Sequence, residues 1–139
     1  MRIGPDGWVG YEAGVPVLDM GYEFYPQSLG NCLRRASDYT DGALPLLITE
    51  NGIGTTDDAQ RIDYVRQALH GVLDAISEGI DVRGYTYWSL LDNFEWHKGF
   101  GPRFGLFRVD YDTLERKPTF SARLYKKLIQ DLTAGRVPG

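Results

Sequence analysis

A short segment of the sequence, PLLITENGIG at 45–54, brings one carboxylate to the end of an apolar run. The apolar residues before Glu50 and the turn formers Asn51 and Gly52 after it predict a buried parallel strand that ends at the acid. Such strand ends are where α/β enzymes place their catalytic groups. Glu50 is therefore a candidate catalytic carboxylate, and the alternative is a buried acid paired for structural reasons. Carboxylate catalysis of this kind uses two acids, so a second one is required.

A second candidate site lies in an aromatic segment. Nine of the 18 Phe, Tyr and Trp residues fall within 85–111, where Trp88 and Trp96 flank the acids Asp92 and Glu95. An indole ring beside a carboxylate suits a sugar, because the ring stacks on its apolar face and the carboxylate accepts hydrogen bonds from its hydroxyls. The alternatives are a core role for the rings and a solvated loop position for Glu95. The residues alone do not decide between them.

Composition excludes several other classes of protein. The chain has 139 residues, of which 15 are basic and 19 are acidic, and 42% are hydrophobic. This is typical of one globular segment, 1–139, with no basic excess for nucleic acid and no basic or long apolar run for a membrane. The single cysteine, Cys32, excludes an internal disulfide, and the first residues lack a signal-peptide pattern. These features predict a cytoplasmic protein.

Metal and cofactor sites are not predicted either. His70 and His97 have no partner at a spacing typical of a zinc site. The Gly-x-Gly pairs lack the further glycine of a dinucleotide loop, and no nucleophilic-serine motif is present. We therefore expect no metal and no cofactor.

The elements that must position these groups alternate between helix and strand. Helical spacing of apolar residues recurs at 26–39, at 59–78 and after Pro118-Thr119. Strand-like composition marks 45–49, 82–91 and, as a short strand or hairpin, 104–111. Loop is predicted for 1–25 and a polar tail for 136–139. The alternation predicts parallel strands in an α/β fold, but two such strands do not close a core. The fold is then either small and irregular or part of a larger barrel.

Three longer motifs carry a family resemblance. ITENG at 48–52, WSLLDNFEW at 88–96 and RFGLFRVDYDTLERKPTFSA at 103–122 resemble the retaining β-glycosidases of glycoside hydrolase family 1. GYEFYPQSL at 21–29 extends the resemblance through nearly the whole chain. It implies the C-terminal quarter of a (β/α)8 TIM barrel: the segment entering strand seven, then strands seven and eight with their helices. The remaining strands are needed to close such a barrel.

The resemblance also implies roles for five residues. Glu50 matches the catalytic nucleophile, and Glu95 matches the acceptor for the distal hydroxyls of the sugar. Three aromatic residues match the pocket: Trp88 at its floor, Trp96 as an indole N–H donor and Phe104 at its wall. Phospho-glycosidases of the family carry serine and basic residues in place of the Glu95-Trp96 pair. An unphosphorylated β-glycoside is therefore implied as substrate.

The family's second carboxylate belongs to a T-[FL]-N-E-P motif that this chain lacks. Glu95 cannot replace it, because a retaining pair lies about 5–5.5 Å apart and the family places this position at the far end of the sugar. We therefore predict a complementary N-terminal fragment that carries strands one to six and the acid/base. The chain alone is expected to be inactive. The alternative is a non-catalytic structural or self-assembling barrel fragment.

Overall fold

The computed structural model describes the backbone of residues 2–4 and 7–9 and all of residues 14–134. Six strands and three helices are present in these ranges. In chain order they are β1 Arg2–Gly4, β2 Gly7–Val9, α1 Ser28–Tyr39, β3 Leu46–Asn51, α2 Asp58–Ser77, β4 Val82–Tyr87, β5 Phe107–Val109, β6 Arg116–Pro118 and α3 Phe120–Thr133. The strands form three separate pairs, with β3–β4 parallel and both β1–β2 and β5–β6 antiparallel.

The parallel pair and the three helices confirm the predicted α/β order. Strand β3 lies beside β4, with Leu46 opposite Val82 and Ile48 opposite Tyr85. One face of the pair packs on α1 and α2 through a cluster of buried residues, Leu33, Ile48, Val72 and Ala75. Two of the three helices begin at a side-chain cap: Asp57 caps α2, and Thr119 caps α3.

Two predictions for individual elements are wrong. The strand predicted at 82–91 ends at Tyr87. The Trp88 N–H still donates to the Asn51 carbonyl of β3, but from Ser89 onward the chain pairs with the segment after residue 103. The Ser89 N–H donates to the Phe104 carbonyl, and the Phe107 N–H donates to the Leu90 carbonyl. The loop predicted over 1–25 contains the β1–β2 hairpin, whose Gly-Pro-Asp-Gly sequence is a turn signal as well as a loop signal. The predicted tail at 136–139 lies outside the described residues.

Helices α1 and α2 approach closely at two glycines. A Cβ atom added to Gly30 would lie 3.1 Å from the carbonyl oxygen of Gly71. Glycine is a poor helix former, so its presence inside α1 and α2 is explained by this backbone contact. The close approach lets both helices cover the same face of the β3–β4 pair.

The other face of the parallel pair is open. Leu47 on β3 is 64% exposed, and it lies over Gly84 of β4, where an added Cβ would overlap its side chain. Parallel strands are normally covered on both faces, so this face lacks its second layer. Among residues 14–134, no helix is both long and apolar enough to cross a membrane.

Candidate active site

Glu50 lies on the open face of the parallel pair because the strand pairing is irregular at this point. Ile48 and Tyr85 are paired, and both pack towards the helices. The register then shifts before Asn51 pairs with Tyr87, which turns Asn51 to the helix side and leaves Glu50 exposed. The Glu50 carboxylate has no hydrogen-bond or ion-pair partner among the residues that the structure describes. The interpretation of Glu50 as a buried, structurally paired acid is therefore wrong.

The end of strand β3 is fixed by polar contacts and by a close approach. The Asn51 amide donates to the Tyr64 hydroxyl at 3.2 Å and accepts from the Tyr85 hydroxyl at 3.0 Å. Burial raises the pKa of Tyr85, so its hydroxyl stays a neutral donor. At Gly52 an added Cβ would overlap the carbonyl oxygen of Trp88. These contacts hold the backbone beside Glu50 against the end of β4.

Asp92 anchors the loop that follows β4. Its side chain is fully buried and pairs with Arg103 at 2.9 Å. It also accepts the backbone N–H groups of Gly105 at 2.9 Å and Val109 at 3.3 Å. Buried carboxylates persist when their oxygens are paired and hydrogen-bonded in this way. Asp92 therefore holds the loop to strand β5 and is not free to act on a substrate.

Glu95 and Trp88 are brought together in the same loop. The Trp88 indole N–H donates to Glu95 Oε1 at 3.4 Å, and the Asn93 amide donates to the same oxygen at 2.6 Å. Glu95 is only 8% exposed, whereas Trp88 is 38% exposed. The interpretation of Glu95 as a solvated loop acid is wrong. The loop instead presents a partly open indole beside a held carboxylate, which is the arrangement that suits a sugar.

Trp96 and Phe104 have contrasting surroundings. Trp96 begins a single 3₁₀ turn, Trp96–Lys98, and its side chain is 82% exposed. Phe104 is buried against Gly54 of the loop after β3, where an added Cβ would lie 2.8 Å from its ring. Trp96 thus has a free indole surface, while Phe104 joins the loops that follow the two parallel strands.

Arg61 supports the site but is not singled out by the sequence analysis. It is 1% exposed on α2, and its guanidinium donates to the carbonyls of Thr55 at 2.5 Å and Arg103 at 2.8 Å. Because these carbonyls belong to the loops after β3 and β4, one side chain ties both loops together. The sequence feature that could have indicated this role is the helical spacing, which places Arg61 on the same face of α2 as the buried Tyr64 and Ala68.

Asp58 extends this tie to the last helix. It pairs with Arg61 at 2.7 Å and accepts both the backbone N–H of Ser121 at 2.8 Å and its hydroxyl at 2.7 Å. Burial by itself would raise the pKa of Asp58, but the Ser121 hydrogen bonds and the Arg61 charge outweigh it and lower the pKa. The start of α3 is thereby fixed to the start of α2.

Metal-ligating side chains do not gather anywhere in the described ranges. Within them no three His, Cys, Asp or Glu residues lie close enough to hold an ion. The site instead holds two acids: Glu50 near the end of β3, and Glu95 in the loop after the neighbouring strand β4, with Trp88 beside Glu95.

Comparison with known proteins identifies the family. Residues 9–133 match the model of glycosyl hydrolase family 1. A 6-phospho-beta-galactosidase of Staphylococcus aureus is 41% identical over 130 residues, which cover 86% of this chain and 28% of that protein. The crystal structure of beta-glycosidase BGL167 superposes with a TM-score of 0.89 at 44% identity, over 99% of this chain and 32% of that one. A beta-glucosidase from Thermotoga maritima in complex with glucoimidazole gives a TM-score of 0.82 at 34% identity, over 87% and 29%.

The fold is thus part of a TIM barrel. The chain belongs to glycosyl hydrolase family 1. It spans less than one third of the length of these relatives.

Proposed function

We propose that this chain supplies the nucleophile half of a retaining β-glycosidase site, with β3 and β4 as the seventh and eighth strands of the barrel. The observation that carries the proposal is the shared end of the parallel pair. Glu50 is exposed there on the open face, and the next strand along continues into the loop that holds Trp88 and Glu95. A barrel interior formed over this face would receive all three side chains.

Glu50 would act as the nucleophile in this site. Its carboxylate oxygen attacks the anomeric carbon as the glycosidic bond breaks, which gives a covalent glycosyl-enzyme. The departing oxygen takes a proton from a second carboxyl group. That group, as carboxylate, then removes a proton from the water that releases the sugar and restores Glu50. Among the described residues no side chain is bonded to the Glu50 carboxylate, so nothing in this part of the site blocks its approach to the anomeric carbon.

The substrate proposed is an unphosphorylated β-glycoside, with a β-glucoside as the first choice. Glu95 is a buried acid that already receives two N–H donors, and its charge opposes a phosphate group but favours sugar hydroxyls. The Staphylococcus aureus relative carries the name 6-phospho-beta-galactosidase, so phosphorylated and free glycosides must be compared directly. The Thermotoga relative, named a beta-glucosidase, supports the free sugar.

The acid/base would come from a complementary N-terminal part of the barrel. Asp92 cannot fill this role, because its oxygens are occupied by Arg103 and by backbone N–H groups. General acid–base assistance is worth about 10²- to 10⁴-fold in rate. Without it, and without the other barrel strands, the chain alone should not turn over.

A complementation assay tests the proposal. The chain is mixed or joined with strands one to six of a family 1 enzyme, and hydrolysis of nitrophenyl β-glucoside is followed. We expect no activity from either part alone, activity from the combination and little activity on the 6-phosphorylated glucoside. Turnover by the purified monomeric chain alone, lost on Glu50→Gln, would show that the second carboxylate lies within this chain.

A non-catalytic, self-assembling fragment is the second candidate. The exposed Leu47 on an uncovered strand face favours association. Light scattering of the purified chain distinguishes the candidates: a stable oligomer that no barrel fragment dissociates or activates supports the structural role.

A further inference from the structure

The two oxygens of the Glu95 carboxylate have different surroundings. Oε1 accepts hydrogen bonds from the Asn93 amide at 2.6 Å and from the Trp88 indole at 3.4 Å. Oε2 receives no hydrogen bond from any residue in the described part of the chain, and it is not among the fully buried unpaired atoms. One oxygen is therefore held by the protein, and the other is available to a ligand.

Asn93 is itself held in one orientation. Because a carboxylate only accepts hydrogen bonds, the Asn93 amide must present its nitrogen to Glu95 and its oxygen to the other side. On that side lies the Ser89 hydroxyl, 3.3 Å from Asn93 Oδ1 and 2.7 Å from the Leu91 carbonyl. The Ser89 carbonyl is in turn paired with the Leu106 N–H at 2.9 Å. A chain of contacts thus runs from the backbone pairing after β4 to Glu95.

We propose that Asn93 is a positioning residue for substrate recognition. It saturates Glu95 Oε1 and aims Oε2 at the distal hydroxyls of the sugar, so that the acceptor is held in one orientation. This inference rests on the proposed function, because it assigns a hydroxyl-bearing glycone to Glu95. Asn93 does not touch the reacting atoms and acts through Glu95.

Two variants of the completed enzyme test the positioning role. Asn93→Ala should lower kcat/KM for nitrophenyl β-glucoside by about 10- to 100-fold, the size expected for a lost hydrogen bond to a charged group. The loss should shrink to less than about twofold in a Glu95→Ala background, because interacting residues are not additive. The loss should also shrink on a deoxyglucoside that lacks a distal hydroxyl. An equal loss in both backgrounds would overturn the proposal.

Asn93→Asp gives a readout that a purely structural role would not move. It places two carboxyl groups at the distance of a hydrogen bond, so the pKa of one of them rises. When the pair holds one proton, the new carboxyl donates to Glu95 as the amide did. We therefore expect kcat/KM of Asn93→Asp, relative to the parent enzyme, to recover as the pH falls. A ratio that does not change with pH contradicts the proposal.

A structure and a matched control separate this inference from the proposed function. His97→Ala, an exposed neighbour in the 3₁₀ turn, should change neither kinetics nor pH dependence. In a crystal structure of Asn93→Ala, Glu95 should adopt a different rotamer, whether or not the enzyme turns over. If the completed parent enzyme hydrolyses no β-glycoside, the proposed function fails. If Glu95 stays in place without Asn93, the positioning role fails.

Discussion

Two acids lie near the same end of the parallel pair but are held in opposite ways: Glu50 in β3, and Glu95 in the loop after β4. Glu95 is buried and receives N–H donors from Trp88 and Asn93, both within seven residues of it in the chain. Glu50 is exposed and receives no donor from the described residues, although the backbone beside it is fixed by Asn51. The surroundings of Glu95, the proposed sugar acceptor, are thus assembled by one continuous loop. The surroundings of the proposed nucleophile must come from chain that lies over the open face.

The largest expected effect comes from Glu50→Gln in the completed barrel. Turnover should fall below detection, because the amide keeps the shape but cannot form the glycosyl-enzyme bond. The free energy of unfolding should change little, since Gln has nearly the same size and shape as Glu. Steady-state kinetics and urea unfolding measure both, and Asp74→Asn on the exposed surface of α2 is the control. Retention of a tenth of kcat, about 1.4 kcal/mol of barrier, would remove Glu50 from the role.

Asp92→Ala should have the reverse effect: its main loss should be in the free energy of unfolding and not in turnover. It leaves Arg103 and two backbone N–H groups of the loop without their buried partner. Breaking a buried pair in this way costs about 3–5 kcal/mol of stability. Thermal or urea unfolding of the completed enzyme is the measurement, and Glu115→Ala, in an exposed ion pair with Lys117, should cost about 0–1 kcal/mol. Equal costs for the two variants would show that the loop does not depend on Asp92.

Glu95→Ala should affect both quantities to a smaller degree. Loss of the acceptor weakens binding and kcat for glucosides, because remote hydroxyl contacts hold the sugar in its reactive geometry. It also leaves the Asn93 amide unpaired, at a cost of about 1–3 kcal/mol. Kinetics on nitrophenyl β-glucoside and an unfolding curve test these expectations. If Glu95→Ala and Trp88→Ala are both silent on glucosides, the sugar pocket lies elsewhere.

The smallest effect is a pH dependence of stability at Asp58. Its pKa is lowered in the folded chain, so its stabilising contribution is present above the unfolded value of about 3.9. It is lost as the pH falls through the lower, folded pKa. The difference in unfolding free energy between the parent and Asp58→Asn should therefore be constant near neutral pH and shrink below about pH 4. A difference that persists unchanged to pH 2 contradicts the lowered pKa.

The parts of the fold that depend on local chemistry could be predicted from the sequence. The apolar run before Glu50 gave the strand, and the Asp57 and Thr119 caps mark where α2 and α3 begin. The early end of β4 could not be predicted, because residues 89–91 keep strand-like composition while they pair with a distant segment. Pairing between segments about 15 residues apart depends on tertiary packing, which the strand propensity of single residues does not predict.

The candidate site also has a part that the sequence predicts and a part that it does not. The motif that contains Trp88 and Glu95 is continuous, and the structure places these two residues in contact. Arg61 was missed because its partners, the carbonyls of Thr55 and Arg103, are backbone groups that no residue type reveals. A charged residue within a buried helical stripe is the one sequence signal for such a role.

The glycine contact between α1 and α2 has a consequence for how this segment can be recombined. A side chain at Gly30 would crowd the carbonyl oxygen of Gly71. A chimaera that takes α1 from one homologue and α2 from another inherits a steric requirement that neither parent shows by itself. Any crossover point between residues 39 and 58 splits this matched pair. The two helices and the strand between them should therefore be exchanged as one block.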